Sequence, residues 1–360
     1  MGKIIFTTIL ITFPLGQLIK FGMFNLFDVL IFVLAIWTFL QKPKYPKWFA
    51  YFLTFVLFGL FSWIFNYFIF NNILSFRGLL YLFRLLAYSY VAIFVSNFLG
   101  KKKQNSIPSI LITVSVATAA LGWIQYLFLP DVRFLKVFNW DDHLYRMVGT
   151  FFDPAFLGLI FVLGYIISVF KKKNLISLVL IASLAFTYSR ASYLCFILFN
   201  IYELFKGKNW FRFLFHISLF TILILGLPKM LSEGTDFART VSSYNKLENY
   251  KQTLEIIKKS PVIGVGFNNI CLAKEKINVT SHACFGADNS ILFILATTGI
   301  IGFFLFLIFV FRLSYFNLLS STFFVVLVHG MFTNSLFYPH IMFWLFTLVG
   351  LGGEVNRKRS

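Results

Sequence analysis

The chain has 360 residues, of which 59 % are hydrophobic and 12 % charged, and its mean hydropathy is +0.82. An average soluble domain carries roughly 25 % charged residues, so a water-facing exterior is excluded and the chain reads as an all-α polytopic membrane protein with room for about 12 spans of about 20 residues. The net charge of +19 would suggest nucleic acid in a soluble protein, but here it follows membrane topology, as set out next, and nucleic acid is not an expected partner.

Apolar runs predict spans at 4–19, 24–40, 48–70, 75–99, 106–128, 153–170, 175–189, 191–205, 213–229, 288–311, 315–334 and 338–352. Lys3 precedes the first run and no small-residue cleavage site comes before the second, so the first span reads as a retained helix. Basic clusters fall at alternate junctions: Lys42, Lys44 and Lys47; Lys101 to Lys103; Lys171 to Lys173; Lys206, Lys208 and Arg212; Arg312; and Arg357 to Arg359. With Lys3 they hold 17 of the 32 basic residues, while ten of the 13 acidic residues lie at the opposite junctions. One orientation satisfies every loop, with both termini cytoplasmic and residues 1–360 forming a single integral membrane domain. The absence of a visible internal repeat counts against a transporter built from duplicated halves.

Two segments remain on the extracytoplasmic side, at about 129–152 and about 230–287. The second is a large loop between spans nine and ten. Within it Leu247, Tyr250, Leu254 and Ile257 recur every three or four residues, which predicts an amphipathic helix over about 244–259, ended by Ser260-Pro261. The opposite face carries Lys246, Lys251, Lys258 and Lys259. Cys271 and Cys284 share this loop. In an oxidising compartment they either pair, contributing about 3 kcal/mol, or stand as two independent thiols. Cys195 lies in a span and reads as packing.

Charged residues inside spans are expensive and therefore candidate functional groups. Arg77 and Arg84 are seven apart on span four and share a helical face. They form either an anion site or, respectively, a snorkelling and a structural arginine, and Asp28 on span two is a partner for either. Arg190 ends the run Leu184-Ala-Phe-Thr-Tyr-Ser-Arg190 where two spans meet with almost no loop. Its planar guanidinium suits a phosphate, and the competing reading is an interfacial snorkel. Arg146, Arg239 and Lys246 add cations to the same side. Pro261-Val-Ile-Gly-Val-Gly266 is too short for a nucleotide fingerprint and reads as a tight turn. Asp288 and Asn289 open span ten, where an acid either caps the helix or serves as a base on a sugar hydroxyl. His143 and His282 complete the set. These residues form no pattern with zinc spacing and no Walker loop, so neither a metal nor a cofactor is expected. What fits is a phosphate-bearing amphiphile.

Four segments in order carry a resemblance: Arg146-Met-Val-Gly-Thr-Phe-Phe-Asp-Pro, Thr187-Tyr-Ser-Arg-Ala-Ser, Ser260-Pro-Val-Ile-Gly-Val-Gly-Phe, and Asp288-Asn-Ser-Ile-Leu followed by Thr298-Gly-Ile-Ile-Gly302. Together they resemble the O-antigen ligase and Wzy-type polysaccharide polymerase superfamily, over about 146–302. The resemblance implies a metal-independent, inverting glycosyltransferase acting on undecaprenyl-diphosphate-linked glycans at the outer face of the bacterial inner membrane. A flippase and a chain-length regulator are the partners that go with it. It also implies that Arg190 binds the donor diphosphate. The family's second arginine, four residues before an aromatic on the loop helix, corresponds to Lys246 before Tyr250, with Arg239 as a nearby substitute. Ligases carry a histidine immediately before the asparagine that opens span ten. Here Asp288 stands at that position and His282 lies six residues earlier, a departure that favours polymerase over ligase. Asp288, or else His282, is then the group that deprotonates the attacking hydroxyl. A ligase, and a transporter for lipid-linked oligosaccharides, are the alternative readings.

Overall fold

The computed structural model describes the chain except residues 22–23, 71, 73–74, 139, 229–231, 239, 275–283, 285, 314–316 and 353–360. The candidates Arg239 and His282 and the basic cluster Arg357 to Arg359 lie outside the described residues. The structure is an all-α membrane bundle: α1 (Gly2–Thr12), α2 (Leu26–Leu40), α3 (Lys47–Phe70), α4 (Phe76–Phe98), α5 (Lys101–Phe128), α6 (Pro154–Phe170), α7 (Asn174–Ala185), α8 (Arg190–Gly207) and α9 (Trp210–Gly226). The loop helix α10 (Val241–Lys259) and the short α11 (Ile270–Ala273) follow, then α12 (Ser290–Phe311), α13 (Asn317–Gly330) and α14 (Pro339–Gly352). Every predicted span has a helix. Among the described residues, α3, α4, α5 and α12 are long and apolar enough to cross a bilayer unaided, and most of the others are shorter apolar helices.

Side-chain caps set many of the helix starts that matter. Asn25 and Asp28 form a reciprocal capping box at α2, Ser189 accepts from Ser192 N at α8, and Asn289 accepts from Ile291 N and Leu292 N at α12. At α6, Asp153 accepts from Ala155 N and Phe156 N, with Pro154 at the first helical position. Helices α6 and α14 are buried along nearly their whole length and form the centre. Around them α14 packs on α4, α12 on α3, α2 on α4 and α6 on α7. The clusters from Lys42 to Arg312 all lie at junctions on one end of the bundle, and the remaining junctions form the opposite end.

Three departures from the sequence reading bear on the site. The link between the first two spans contains a small antiparallel pairing, with Lys20 opposite Asn25. The eleventh span ends at Gly330 rather than 334, because residues 331–338 form an irregular segment with one 3-10 turn at Ser335–Phe337. Helix α12 is broken at Gly299, whose φ is +62°. The Pro261–Gly266 segment docks into the break, with Ile300 N donating to Pro261 O (2.9 Å) and Val265 N to Ala296 O (2.9 Å). Ser62 Oγ donates to Ile263 O and Asn66 Nδ2 to Gly264 O, so the unwound backbone is satisfied by α3. A Cβ at Gly299 would stand 2.2 Å from Val262 O, which is why only glycine fits.

Candidate active site

The end of the bundle opposite the lysine clusters is organised by α10. The helix runs over Val241–Lys259 rather than 244–259, and it docks through Tyr250 and Ile257 of the apolar stripe but not through Leu247 and Leu254. Leu247 and Leu254 are 53 % and 45 % exposed, while Thr253 and Ile256 are buried. Lys246, expected on the outward face, instead donates from Nζ to Phe332 O. The reason is polar. The irregular 331–338 segment presents free carbonyls, and α10 turns towards it the side chains that bond them: Tyr250 Oη donates to Met331 O beside the Lys246 contact. Backbone groups left unpaired at membrane depth cost more than two leucines left exposed at the interface.

Successive turns of this face meet successive parts of the site. Ser243 Oγ accepts from Arg190 Nη2 at 2.9 Å, and Arg190 Nη1 reaches Phe237 O at 3.5 Å. Lys246 lies one turn on. Asn249 Oδ1, a turn further, accepts from Asp288 N at 2.9 Å. Residues 243, 246, 249 and 250 are spaced for one helical face, and 243 to 249 spans about 9 Å at 1.5 Å per residue. The structure thus brings Arg190, Lys246, Asp288 and Asn289 to one place; Asn289 Nδ2 donates to Met331 O at 3.2 Å, the carbonyl that Tyr250 also uses. The Asp288 carboxylate is near enough for its charge to act on its neighbours. Burial first, and then Asp288, push the Tyr250 phenol up; burial lowers the Lys274 ammonium, and Asp288 opposes that shift.

Arg190 is the first residue of α8, after a turn in which Tyr188 has φ +51° and its hydroxyl donates to Pro228 O at 2.7 Å. Behind that turn lies Arg146, 7 % exposed, with Nε donating to Thr187 O (3.2 Å) and Nη2 to Tyr188 O (3.3 Å). These contacts make Arg146 a support for the Arg190 turn. Arg77 lies in the first turn of α4, half-buried. Arg84 belongs to a separate cluster, where its Nη2 meets Asp28 Oδ2 at 2.6 Å and Tyr88 Oη donates to Asp28 Oδ1 at 2.8 Å. Of the two pairings open to Asp28, the structure selects Arg84. Cys271 and Cys284 form a disulfide, and Cys195 is buried and free.

Several groups at this end were not singled out by the sequence reading. Ser243 and Asn249 carry no signal beyond their spacing from Lys246. Asp153, inside a quoted motif, caps α6 and interacts electrostatically with Lys246. His329 was findable, since an ionisable residue in an apolar span is a functional candidate by default. It is fully buried, with Nε2 3.1 Å from Ser192 Oγ and Nδ1 2.7 Å from Ser335 Oγ, and it ties α8 to the 331–338 segment.

Two cations held by a backbone carbonyl and a hydroxyl along α10, with Asp288 joined to the same helix through its backbone N–H, are suited to a phosphate leaving group and a nucleophile that must lose a proton. Comparison with curated proteins returns no match. Residues 144–307, which contain Arg146, Arg190, Lys246 and Asp288, match the family model Wzy_C, described as O-antigen ligase. Over this region the chain is similar to the O-antigen ligase family.

Proposed function

We propose that the protein is a polysaccharide polymerase, a metal-independent inverting glycosyltransferase that joins undecaprenyl-diphosphate-linked repeat units at the outer face of the bacterial inner membrane. The observation that carries this reading is the alignment of Arg190, Lys246 and Asp288 along one face of α10. Arg190 and Lys246 neutralise the diphosphate as it leaves, stabilising charge that develops in the transition state. Asp288 accepts the proton of the attacking sugar hydroxyl. The hydroxyl oxygen bonds to the anomeric carbon on the face opposite the diphosphate, the carbon–oxygen bond to phosphate breaks, and configuration inverts. Asn289 holds the start of α12 and, through Met331 O, the carbonyl segment beside it.

The lysine clusters at the opposite end support an orientation with both termini in the cytoplasm and this site outside. A ligase, which transfers finished polymer to lipid A core or another acceptor, is the second reading and is favoured by the description of the matching family model. Asp288, at the position where ligases carry histidine, favours the polymerase. The deciding experiment is reconstitution with the native lipid-linked repeat unit and a gel of the products. A ladder at repeat-unit spacing is expected. Unconsumed repeat units, together with transfer of preformed polymer to a lipid A core acceptor, would replace the polymerase with the ligase.

A further inference from the structure

The chemistry proposed above uses one face of α10 and leaves another unaccounted for. Tyr244, Leu247, Lys251, Leu254 and Lys258 are all exposed, and their spacing of three and four places them on one stripe. Leucine and lysine alternate along it, and Glu255 is the exposed acid beside it. What covers such a stripe depends on how deep it lies, and hydrogen bonds to two spans fix that depth.

The second half of α10 descends beside the start of α12, in step with it. Asp288 N donates to Asn249 Oδ1, Ile300 N to Pro261 O and Ile301 N to Val262 O, each bond joining residues 39 apart. Gly299 lies about 14 Å along α12 from Ser290. With 22 residues, or about 33 Å, α12 matches a hydrocarbon core of about 30 Å, so the Pro261–Gly266 hairpin lies well below its outer end. Helix α3 gives the same level. Ser62 and Asn66 bond Ile263 O and Gly264 O, and Ser62 lies about 12 Å along α3 from Phe70. Between them and the end of α3, Phe65, Phe68 and Ile69 are exposed, as on a surface that faces lipid. Lipid therefore reaches higher than the hairpin. On the α12 side Val262 is 51 % exposed and adjoins Ile300 and Ile301, followed by Phe304, all of them exposed apolar residues of a span.

We propose that the second half of α10 and the Pro261–Gly266 hairpin form a re-entrant element sunk in the leaflet on the site side, and that the exposed stripe docks on anionic phospholipid. Leu254 and Val262 lie against acyl chains, while Lys251 and Lys258 reach up to the phosphates. Two features favour lipid over a protein partner. The apolar surface at Val262 is continuous with the lipid-facing side of α12, and a lysine set below the headgroups can raise its ammonium to them on its long stem. A protein laid over the stripe would instead bury Lys258 at membrane depth, which is costly. The backbone of the hairpin is satisfied by α3 and α12, as irregular backbone at this depth requires. The lipid contact stands apart from the polymerase reading, but it reaches the same site, because α10 also holds Ser243, Lys246 and Asn249.

The test is fluorescence quenching of the full-length protein in vesicles of phosphatidylcholine and phosphatidylglycerol in equal parts. Tyr244→Cys, Leu254→Cys and Val262→Cys are each labelled with bimane. Cys271 and Cys284 are held in their disulfide and Cys195 is buried, so the label goes to the new thiol. Quenching by aqueous iodide is expected to fall from 244 to 254 to 262, and quenching by phospholipid with a nitroxide high on its chain to rise in the same order. Nitroxide-bearing phosphatidylglycerol should quench the label at 254 several times more strongly than nitroxide-bearing phosphatidylcholine. K251Q/K258Q should abolish that preference and leave the depth order as it is. Strong iodide quenching at all three positions would place α10 in water and overturn the re-entrant element. Shielding of 254 and 262 from both quenchers would put a protein partner on the stripe and overturn the lipid contact. Equal quenching by the two lipids without K251Q/K258Q would overturn the preference for anionic lipid. No turnover is needed, so failure here and failure of the polymerase reading are told apart.

Discussion

Removing the carboxylate of Asp28 is the sharpest perturbation the bundle offers. Asp28 is fully buried and holds three groups at once: Arg84 Nη2 at 2.6 Å, Tyr88 Oη at 2.8 Å and, in the capping box of α2, Asn25 N at 3.2 Å. Breaking a buried ion pair from one side costs about 3–5 kcal/mol, because the remaining charge stays desolvated. Loss of a helix cap adds about 1 kcal/mol. Asp28→Ala is therefore expected to lose about 4–6 kcal/mol. Asp28→Asn has one acceptor oxygen in place of two, so it keeps either the Tyr88 contact or those of Asn25 and Arg84; with the charge lost as well, it should cost at least the roughly 1.5–3 kcal/mol of a charged hydrogen bond. The double variant D28L/R84M removes both charges and should be less destabilised than Asp28→Ala alone. The assay is reversible unfolding of the purified protein in detergent, followed by tryptophan fluorescence. Costs that simply add in the double variant, or a loss below about 1 kcal/mol for Asp28→Ala, would refute the claim that these charges are coupled and dry.

The other predictions concern the site and its frame. Arg190→Gln and Lys246→Gln should each lower polymer synthesis about 10²–10³-fold at normal protein levels, with a smaller loss for Arg190→Lys, which keeps the charge without the fork; normal chain lengths on a gel would remove Arg190 from the mechanism. Gly299→Ala forces a side chain into a left-handed φ, at about 1–2 kcal/mol, and against Val262 O, so the yield of folded protein by size-exclusion chromatography should fall; a wild-type profile would contradict the docking of Pro261–Gly266 into α12. Reduction of Cys271–Cys284 should cost about 3 kcal/mol; both cysteines are buried, so with reductant and mild denaturant they should react with a membrane-impermeant maleimide on intact spheroplasts faster than the buried Cys195, and labelling only after the membrane is opened would invert the proposed orientation.

Spans and motifs were legible because each rests on local pattern. Apolar runs between basic clusters placed every membrane helix, and the Thr187-Tyr-Ser-Arg190 segment placed a cation at the start of α8. Register between elements was not legible. The α10 stripe of Leu247, Tyr250, Leu254 and Ile257 predicted one docking face, and the helix is turned from it so that Tyr250 and Ile257 dock while Leu247 and Leu254 stay exposed, because the carbonyls of 331–338 belong to a segment that reads in sequence as the end of a span. The Arg84–Asp28 pair joins residues 56 apart, so its existence was a choice among partners that only three-dimensional packing could make. The break at Gly299 was hidden for the same reason: a glycine in an apolar run looks like packing until Pro261–Gly266 is seen inserted beside it.

The position of Lys246 ties these points to the chemistry. A lysine on the outward face of α10, where the stripe placed it, would be solvated and shared with bulk counterions. Turned inward onto Phe332 O, it stands one turn from Ser243, the hydroxyl that holds Arg190. The two cations come from elements far apart in the chain, so their spacing depends on how α10 is seated. That seat is built from the Tyr250 and Asn289 bonds to Met331 O, and beneath it His329 fixes the same segment through Ser192 and Ser335. A flexible ammonium adjusts to a shift of this seat more readily than a planar fork does, which gives a physical reason for a lysine at this position beside an arginine anchored at a helix start.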